Sequence, residues 1–338
     1  MATYVGSRRM PVWAAAGATG VGSLPGQDPR EAVRTVLGEL PELPFLPELP
    51  ARGPHADLVG RGAAFLADLH VDLQPSGWRI TARGSRDGRR ALDLLSRDLD
   101  ALEETGAAPA LLKVQAPGPW TLAAMVELPR GDRILADHGA VADLAASLAH
   151  GLAEHLADLR RRVPGATVLL QLDEPALPGV MAARIPTASG FGRLRAPDRQ
   201  VVLERLRTVL GSAEHTVVHC CSASPPISVL VDAGAGGISL DAAVLTPRDD
   251  DEIGLALEAG CGLLLGLLPA TDADLSDLDE RLAPAKQLWR RLGLEPDRMP
   301  GSVVVTPACG LAGASPSYAR RALTACTELG RRMGEEPE

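Results

Sequence analysis

Two distant segments of this 338-residue sequence end in side chains that bind soft metals. The first reads Val-Val-His-Cys-Cys at residues 217–221, and the second, residues 304–310, carries Cys309 near its end. Both begin with β-branched residues. In an extended strand side chains alternate between faces, so His219 and Cys221 point to the same side. An imidazole and a thiolate from one strand end, with a thiolate from another, make an open zinc site of the catalytic kind, and a thiol substrate could fill its fourth position. The alternative is that these are ordinary buried cysteines, a frequent position for this residue.

The composition indicates a soluble enzyme that binds neither nucleic acid nor membranes. A net charge of −9 and a pI of about 5.4 argue against a nucleic-acid-binding protein, whose affinity depends on clustered positive charge. No stretch approaches the roughly 18–20 uninterrupted apolar residues that a membrane span needs. Residues 1–10 lack the continuous apolar segment of a signal peptide. Five scattered cysteines fit a reducing compartment better than a disulfide scaffold, so we expect a cytoplasmic protein.

Short hydrophobic runs alternate with longer helical patterns along the whole sequence. The eight predicted strands are Ala18–Ser23, Leu43–Leu46, Leu111–Gln115, Thr167–Leu172, Thr216–Cys221, Gly237–Leu240, Gly262–Leu267 and Ser302–Thr306. Repeated strand–helix units imply a parallel sheet, and eight of them predict an α/β fold of the (β/α)₈ TIM barrel type. A doubly wound open sheet is the alternative, but no Gly-rich phosphate loop follows the first strand. No domain boundary is evident, so residues 1–338 are expected to form a single catalytic domain with its core at about 14–333.

Helices are predicted between these strands, and some begin with a recognisable cap. The predicted helical segments are Arg30–Gly38, Ala140–Arg162, Pro197–Leu210, Asp249–Ala259, Asp277–Leu292 and Ser315–Met333. Asp28, Asp249 and Ser315 are the predicted N-caps, because each puts a short polar side chain at a first helical turn. The segment Val71–Gly84 alternates apolar and polar residues around a Pro-Ser-Gly turn. It is predicted to be a β-hairpin inserted after the second strand.

The carboxyl ends of the predicted strands carry many polar side chains. In a barrel of this type the chemistry is built at these ends. Each acid taken alone could be a helix N-cap or a solvated loop charge. Together they place histidine, cysteine and carboxylate groups from several strands at one mouth of the barrel. These strand-end residues are Ser23, Glu48, Asp173, His219, Cys221, Asp241 and Cys309.

Four motifs carry a resemblance to a known family. They are Gly-Ser-Leu-Pro at 22–25, Gln-Leu-Asp-Glu-Pro-Ala-Leu at 171–177, His-Cys-Cys at 219–221 and Pro-Ala-Cys-Gly-Leu at 307–311. In order and approximate spacing the sequence resembles the catalytic half of cobalamin-independent methionine synthase, from about residue 17 to residue 333.

The resemblance implies a zinc-dependent methyltransferase that makes methionine from homocysteine. It implies that His219, Cys221 and Cys309 bind zinc, with Asp241 near the position where the family has a glutamate ligand. Asp173 and Glu48 would bind the amino group of homocysteine. Ser23 would meet its carboxylate. The methyl donor would be methyl-tetrahydrofolate or a methylated corrinoid protein.

The sequence departs from the family on the side of the methyl donor. The family's folate-stacking aromatic residue falls near Met125 here, and Trp120 lies five residues earlier. No histidine follows His219, so the family's candidate acid is missing and no catalytic acid is predicted. Two alternatives remain open: an alkyltransferase acting on another small thiol, and a metal- or homocysteine-binding protein without catalysis. A thiol without an amino group would not need Glu48 and Asp173.

Overall fold

The computed structural model, which describes residues 10–335, contains a curled parallel β-sheet surrounded by helices. Its six strands follow one another in chain order, each hydrogen-bonded to the next. They are β3 (Leu111–Pro117), β4 (Thr167–Asp173), β5 (His215–His219), β6 (Gly237–Asp241), β7 (Gly262–Leu268) and β8 (Val303–Pro307). The parallel α/β fold is therefore confirmed for six of the eight predicted strands.

The first two predicted strands are not regular strands. Residues 18–23 and 43–48 make only isolated parallel bridges, Ala18 with Val305, Ser23 with Glu48 and Phe45 with Lys113. Prolines at 41, 44, 47 and 50 explain part of this difference, because proline has no N–H group to donate to a ladder. The two segments lie between the edge strands β8 and β3, which they contact through these bridges. Because they add no regular strand, the confirmed sheet has six strands.

A short antiparallel hairpin lies within the segment predicted to form one. Its strands are β1 (His70–Gln74) and β2 (Gly77–Thr81), which pair from His70 with Thr81 to Gln74 with Gly77. Gly77 has φ of 128°, a backbone conformation that favours glycine at this tight turn. The place of the hairpin after a second barrel strand stays a prediction, because residues 43–46 form no regular strand.

Helices follow most of the strands and cover the outer face of the sheet. They are α1 (Pro29–Glu39), α2 (Leu58–Ala64), α3 (Arg86–Glu103), α4 (Pro119–Met125), α5 (His138–Arg162), α6 (Leu177–Met181), α7 (Arg199–Leu210), α8 (Ile227–Asp232), α9 (Asp250–Glu258), α10 (Leu278–Arg291) and α11 (Pro316–Met333). Within residues 10–335, none of them is long and apolar enough to cross a bilayer.

All three predicted N-cap residues stand at the N-cap position of a helix, and two of them make a side-chain capping hydrogen bond. The Asp28 side chain accepts a hydrogen bond from Arg30 N, and the Ser315 hydroxyl accepts one from Tyr318 N. Asp249 stands at the N-cap position of α9, but its side chain makes no capping hydrogen bond. Its carboxylate accepts from the backbone and hydroxyl of Thr246 instead, and so closes the turn before α9.

The interior of the curled sheet changes from apolar to polar along the strands. At the amino ends Leu169, Val217, Leu264 and Val304 pack around Trp13. Toward the carboxyl ends the same alternating faces present Gln171 after Leu169 and His219 after Val217, as the two-residue period of a strand requires. The apolar layer closes one end of the interior, and polar side chains are collected at the other.

A buried histidine on the outer helices is expected to make stability depend on pH. His155 packs edge-on against Phe65 with ring centroids 4.9 Å apart. Its Nε2 atom has no hydrogen-bond partner in the described part of the chain. Burial lowers the pKa of His155 to about 4. The charges of Arg61 and Arg162 also lower it, whereas Asp158 raises it. The native protein therefore resists protonation of this ring.

Because of His155, we expect the free energy of unfolding to fall by about 2 kcal/mol between pH 7 and pH 5. An unfolded histidine has a pKa near 6.5, so in this range the unfolded chain binds a proton that the native state does not. The contribution is present above pH 6.5 and is lost as the pH falls toward about 4. Urea unfolding at both pH values should show a smaller loss in His155→Leu. The same substitution at exposed His150 is the control, and equal losses in all three proteins would contradict the assignment.

Candidate active site

Three predicted metal ligands come together at the carboxyl ends of β5 and β8. One ligand atom from each of His219, Cys221 and Cys309 lies within 4.8 Å of the other two. His219 is the last residue of β5, and Cys221 follows in the loop two residues later. Cys220, between them, is fully buried on the other side, as the alternation predicts.

The position of Cys309 depends on close backbone approaches at the end of β8. The register between β7 and β8 shifts between Gly266 and Leu268, so the regular ladder is interrupted beside the site. A side-chain carbon at Gly266 would lie 2.6 Å from the Cα atom of Ala308, so only glycine fits there. The next turn is tied to the first segment, because Leu311 N donates to Ser23 O at 2.8 Å.

The donor set fits a zinc ion. The sulfur atoms of Cys221 and Cys309 are 3.5 Å apart. Contacts with Cys221 and with His219 lower the pKa of Cys309, and the contact with Cys309 raises the pKa of Cys221. The two thiols therefore influence each other's ionisation, and a cation bound to both sulfur atoms would stabilise their thiolate forms.

The ring of the predicted ligand His219 is fixed at one of its two nitrogen atoms. His219 Nδ1 lies 2.9 Å from the Ser239 hydroxyl on β6. The buried Nε2 atom has no hydrogen-bond partner among residues 10–335. Ligating histidines commonly hold a polar group at one ring nitrogen and the metal at the other. Ser239 was not identified from the sequence, because a serine within a strand carries no distinguishing signal.

Asp241 lies outside this group of three. It is the last residue of β6, and its Oδ1 atom accepts a hydrogen bond from Ala243 N at 2.9 Å. Burial raises its pKa, and the neighbouring Cys309 and His219 also influence it. The carboxylate is therefore close enough to interact electrostatically with Cys309 and His219, and its role as a fourth ligand stays a prediction.

The three predicted ligands line a cavity together with the three predicted substrate-binding residues. The cavity has a volume of about 260 Å³, and Ser23, Glu48 and Asp173 contribute to its lining. A wider surface groove between α3 and α5, about 660 Å³ in volume, contains none of the predicted site residues. The smaller cavity is the candidate active site, because its lining combines apolar side chains with several polar groups that point to the same space.

Glu48 is not a free carboxylate, which the sequence analysis did not anticipate. It forms an ion pair with Arg61 Nε at 3.1 Å. Arg61 also pairs with Asp98 at 2.8 Å, and Arg52 pairs with Asp98 at 2.7 Å. Two acids and two arginines thus neutralise one another in a largely buried row behind the cavity. Burial raises the pKa of Glu48, and the charge of Arg61 opposes that rise. Nothing in the local sequence pairs these residues, because they are separated by up to 50 positions along the chain.

Asp173 lies at the end of β4 and is the less compensated of the two acids. Its Oδ1 atom accepts a hydrogen bond from Gln171 Nε2 at 2.7 Å. Burial raises the pKa of Asp173 to about 7, the nearby imidazole of His219 lowers it, and Glu48 raises it. A cationic group on a ligand would stabilise the ionised form of this carboxyl group.

Glu174, next in sequence, holds the adjacent loop rather than the cavity. Its fully buried carboxylate accepts hydrogen bonds from Trp120 N at 2.9 Å, Thr121 N at 2.8 Å and the Thr121 hydroxyl at 2.7 Å. Burial raises the pKa of Glu174 to about 7, and these hydrogen bonds oppose the rise. The contact joins the end of β4 to the start of α4.

Removing this carboxylate is expected to destabilise the protein strongly. Glu174→Ala leaves the three donors without a partner in the interior, and we expect a loss of about 3–5 kcal/mol in the free energy of unfolding. Glu174→Gln keeps the shape and one acceptor oxygen, so its loss should be about half as large or less. Urea unfolding curves measure both. Losses below about 1 kcal/mol in the alanine variant would show that Glu174 does not hold this loop.

The two residues considered for stacking on a methyl donor differ in exposure. Trp120 is 1% exposed, and its Nε1 atom donates to Val202 O, so its ring is part of the core. Met125, the last residue of α4, is 42% exposed. No aromatic ring is therefore presented to a ligand at either position.

Two solved structures share the fold of this chain over nearly its whole length. One is a B12-independent methionine synthase from Shewanella sp. W3-18-1 in complex with selenomethionine. It is 13% identical, with a TM-score of 0.59, and the match covers 94% of this chain and 98% of that one. The other is a methyltransferase from Methanosarcina mazei, 16% identical with a TM-score of 0.56, and the match covers 94% and 97%. No protein-family model and no curated protein sequence matches the chain. The family resemblance read from the four motifs is thereby confirmed at the level of the fold.

Proposed function

We propose that this protein is a zinc-dependent methyltransferase that transfers a methyl group to the thiol of homocysteine and so forms methionine. The observation that carries the proposal is one cavity lined by His219, Cys221 and Cys309 and also by Ser23 and Asp173. A soft-metal donor set suits a thiol, and a carboxylate beside a hydroxyl suits an amino acid. Homocysteine carries both kinds of group.

The metal centre is proposed to consist of His219, Cys221 and Cys309, with Asp241 as the fourth ligand. A zinc ion held there would supply a Lewis acid that lowers the pKa of a bound thiol and keeps it as the thiolate. The protein's own part is to hold the ligand atoms in place. Ser239 fixes the ring of His219, and the glycine at 266 admits the turn that carries Cys309.

Asp173, Glu48 and Ser23 are proposed to bind the amino-acid end of the substrate. Within residues 10–335 Asp173 forms no ion pair, whereas Glu48 is paired with Arg61, so Asp173 is the stronger candidate for the ammonium group. The solved methionine synthase of this fold holds selenomethionine, a selenium analogue of the proposed product, which supports an amino-acid ligand here as well. We also propose that residues 18–23 and 43–48 stand in the place of the first two strands of a (β/α)₈ barrel formed by a single domain.

The methyl donor is proposed to be a methylated corrinoid protein or methyl-tetrahydrofolate. In either reaction the sulfur–carbon bond of methionine forms as the bond between the methyl group and its donor breaks. Trp120 is buried and Met125 replaces an aromatic residue. We favour the corrinoid donor for that reason, because it does not require a pterin ring to stack at this place.

The proposal is tested by incubating zinc-loaded protein with homocysteine and either methylcobalamin or methyl-tetrahydrofolate and measuring methionine. Metal-dependent formation of methionine with one of these donors is the expected result. Methylation of 2-mercaptoethanol at an equal or higher rate would favour an alkyltransferase for another small thiol. Homocysteine binding without turnover with either donor would favour a non-catalytic binding protein.

A further inference from the structure

A buried lysine lies in the polar interior of the sheet beneath the candidate active site. Lys113, in the middle of β3, is fully buried. Its Nζ atom donates to Val21 O at 2.8 Å, to Gln171 Oε1 at 2.9 Å and to Gln115 Oε1 at 3.1 Å. A lysine ammonium group has three N–H donors, so every donor of Lys113 is used.

Burying an ammonium group costs free energy unless the charge is paired and hydrogen-bonded. Lysine is almost never fully buried without a partner, because burial of a charge is strongly unfavourable. Burial lowers the pKa of Lys113 to about 7, and the negative charges of Asp173 and Glu48 oppose that change. The two cavity acids and the lysine therefore stabilise one another within the same interior.

The lysine determines the orientation of two glutamine amides. Lysine only donates hydrogen bonds, so the amide oxygens of Gln171 and Gln115 must face Nζ and their NH₂ groups must face away. The NH₂ group of Gln171 donates to Asp173 Oδ1 at 2.7 Å and to Val21 O at 2.9 Å. The NH₂ group of Gln115 donates to Leu46 O at 2.5 Å.

These bonds hold the two segments that lack a regular ladder. Val21 lies two residues before Ser23, and Leu46 lies two residues before Glu48. A side-chain carbon at Gly22 would lie 2.7 Å from Gln115 Cγ, so the first segment packs directly against the network. Hydrogen bonds from side chains thus replace part of the missing strand pairing.

We propose that Lys113 is the positioning residue of the amino-acid end of the cavity. Through Gln171 it aims the carboxylate of Asp173, and through Gln171 and Gln115 it fixes the segments that carry Ser23 and Glu48. It does this without touching the substrate. The inference rests on the proposed function. It makes Lys113 responsible, through these contacts, for the preference of the cavity for a thiol that is also an amino acid.

The test compares the binding of homocysteine with that of 2-mercaptoethanol, a thiol without amino and carboxylate groups. In Lys113→Met we expect the ratio of the two dissociation constants to move about 10- to 100-fold toward 2-mercaptoethanol, by analogy with the loss of a partner that orients a metal ligand. Zinc content should stay at the wild-type value, because the hydrogen bonds of Lys113 Nζ go to Val21 O, Gln115 and Gln171 and to none of His219, Cys221 and Cys309. Lys286→Met, at the exposed second lysine of the chain, should keep the wild-type ratio.

A second variant covers the case in which Lys113→Met does not fold. Gln171→Glu keeps an acceptor for Lys113 but removes the donor to Asp173, and it should shift the ratio in the same direction. A folded, zinc-loaded variant at either position that keeps the wild-type preference would overturn this inference alone. A wild-type protein without preference for homocysteine would overturn the proposed function and the inference with it.

Discussion

Cys309→Ser is expected to reduce the zinc content from about one ion per chain to nearly none after dialysis, and to reduce methyl transfer more than about 100-fold. The structure brings one atom of Cys309 within 4.8 Å of ligand atoms from His219 and Cys221. Replacement of its sulfur by oxygen removes the thiolate that lies 3.5 Å from Cys221. Loss of an orienting partner alone typically weakens metal binding 10- to 100-fold, so loss of a ligand should exceed the upper figure.

Cys261→Ser is the matched control for this substitution. Cys261 is buried at the start of β7, where its thiol can donate to Ala235 O at 3.5 Å, and a serine hydroxyl can do the same. This variant should bind zinc like the wild type. Elemental analysis of the three proteins measures the effect, and full zinc in Cys309→Ser would remove this cysteine from the metal centre.

Asp173→Asn is expected to weaken homocysteine binding by about 2–4 kcal/mol, or roughly 30- to 1000-fold. The substitution keeps the size of the side chain, and the amide oxygen of asparagine can still accept the hydrogen bond from Gln171. The negative charge is lost. An ammonium group brought into the cavity would then lack its partner, and an unpaired buried charge is strongly unfavourable.

A ligand without the amino group provides the control for Asp173. 4-Mercaptobutanoate is homocysteine without that group, so its affinity should be almost the same in the wild type and in Asp173→Asn. Titration calorimetry with both ligands measures the difference. If Asp173→Asn weakens the two ligands equally, Asp173 acts on the thiol or the carboxylate and does not bind the amino group.

The sequence was a good guide to the sheet where backbone periodicity controls the structure. β3 to β8 are short, mostly apolar runs between helical patterns, and each lies close to its predicted position. Residues 18–23 and 43–48 are interrupted by glycines at 20 and 22 and by prolines at 44 and 47, which disfavour a regular ladder there. A few backbone hydrogen bonds, such as Glu48 N to Gly22 O, hold them in part. The others come from the side chains of Lys113, Gln115 and Gln171, and no local pattern predicts such distant partners.

In the candidate site, too, some residues could be predicted from the local sequence and their distant partners could not. His219, Cys221 and Cys309 could be identified because their residue types are uncommon and their positions follow predicted strands. The partners of Glu48 could not be identified from the sequence. An arginine in α2 and an aspartate in α3 are residue types that also occur on ordinary helix surfaces. One signal was present: Lys113 is one of only two lysines in the chain and stands between apolar residues of a predicted strand.

The central claim is that the cavity binds homocysteine as a thiolate. Calorimetric titration of the zinc-loaded protein at pH 7, in two buffers with different ionisation enthalpies, measures the protons released on binding. Methionine is the reference ligand, because it has the same amino-acid end without a thiol proton. We predict that homocysteine releases about one proton more than methionine, since a free thiol is mostly protonated at this pH. Equal proton release by the two ligands would contradict the account.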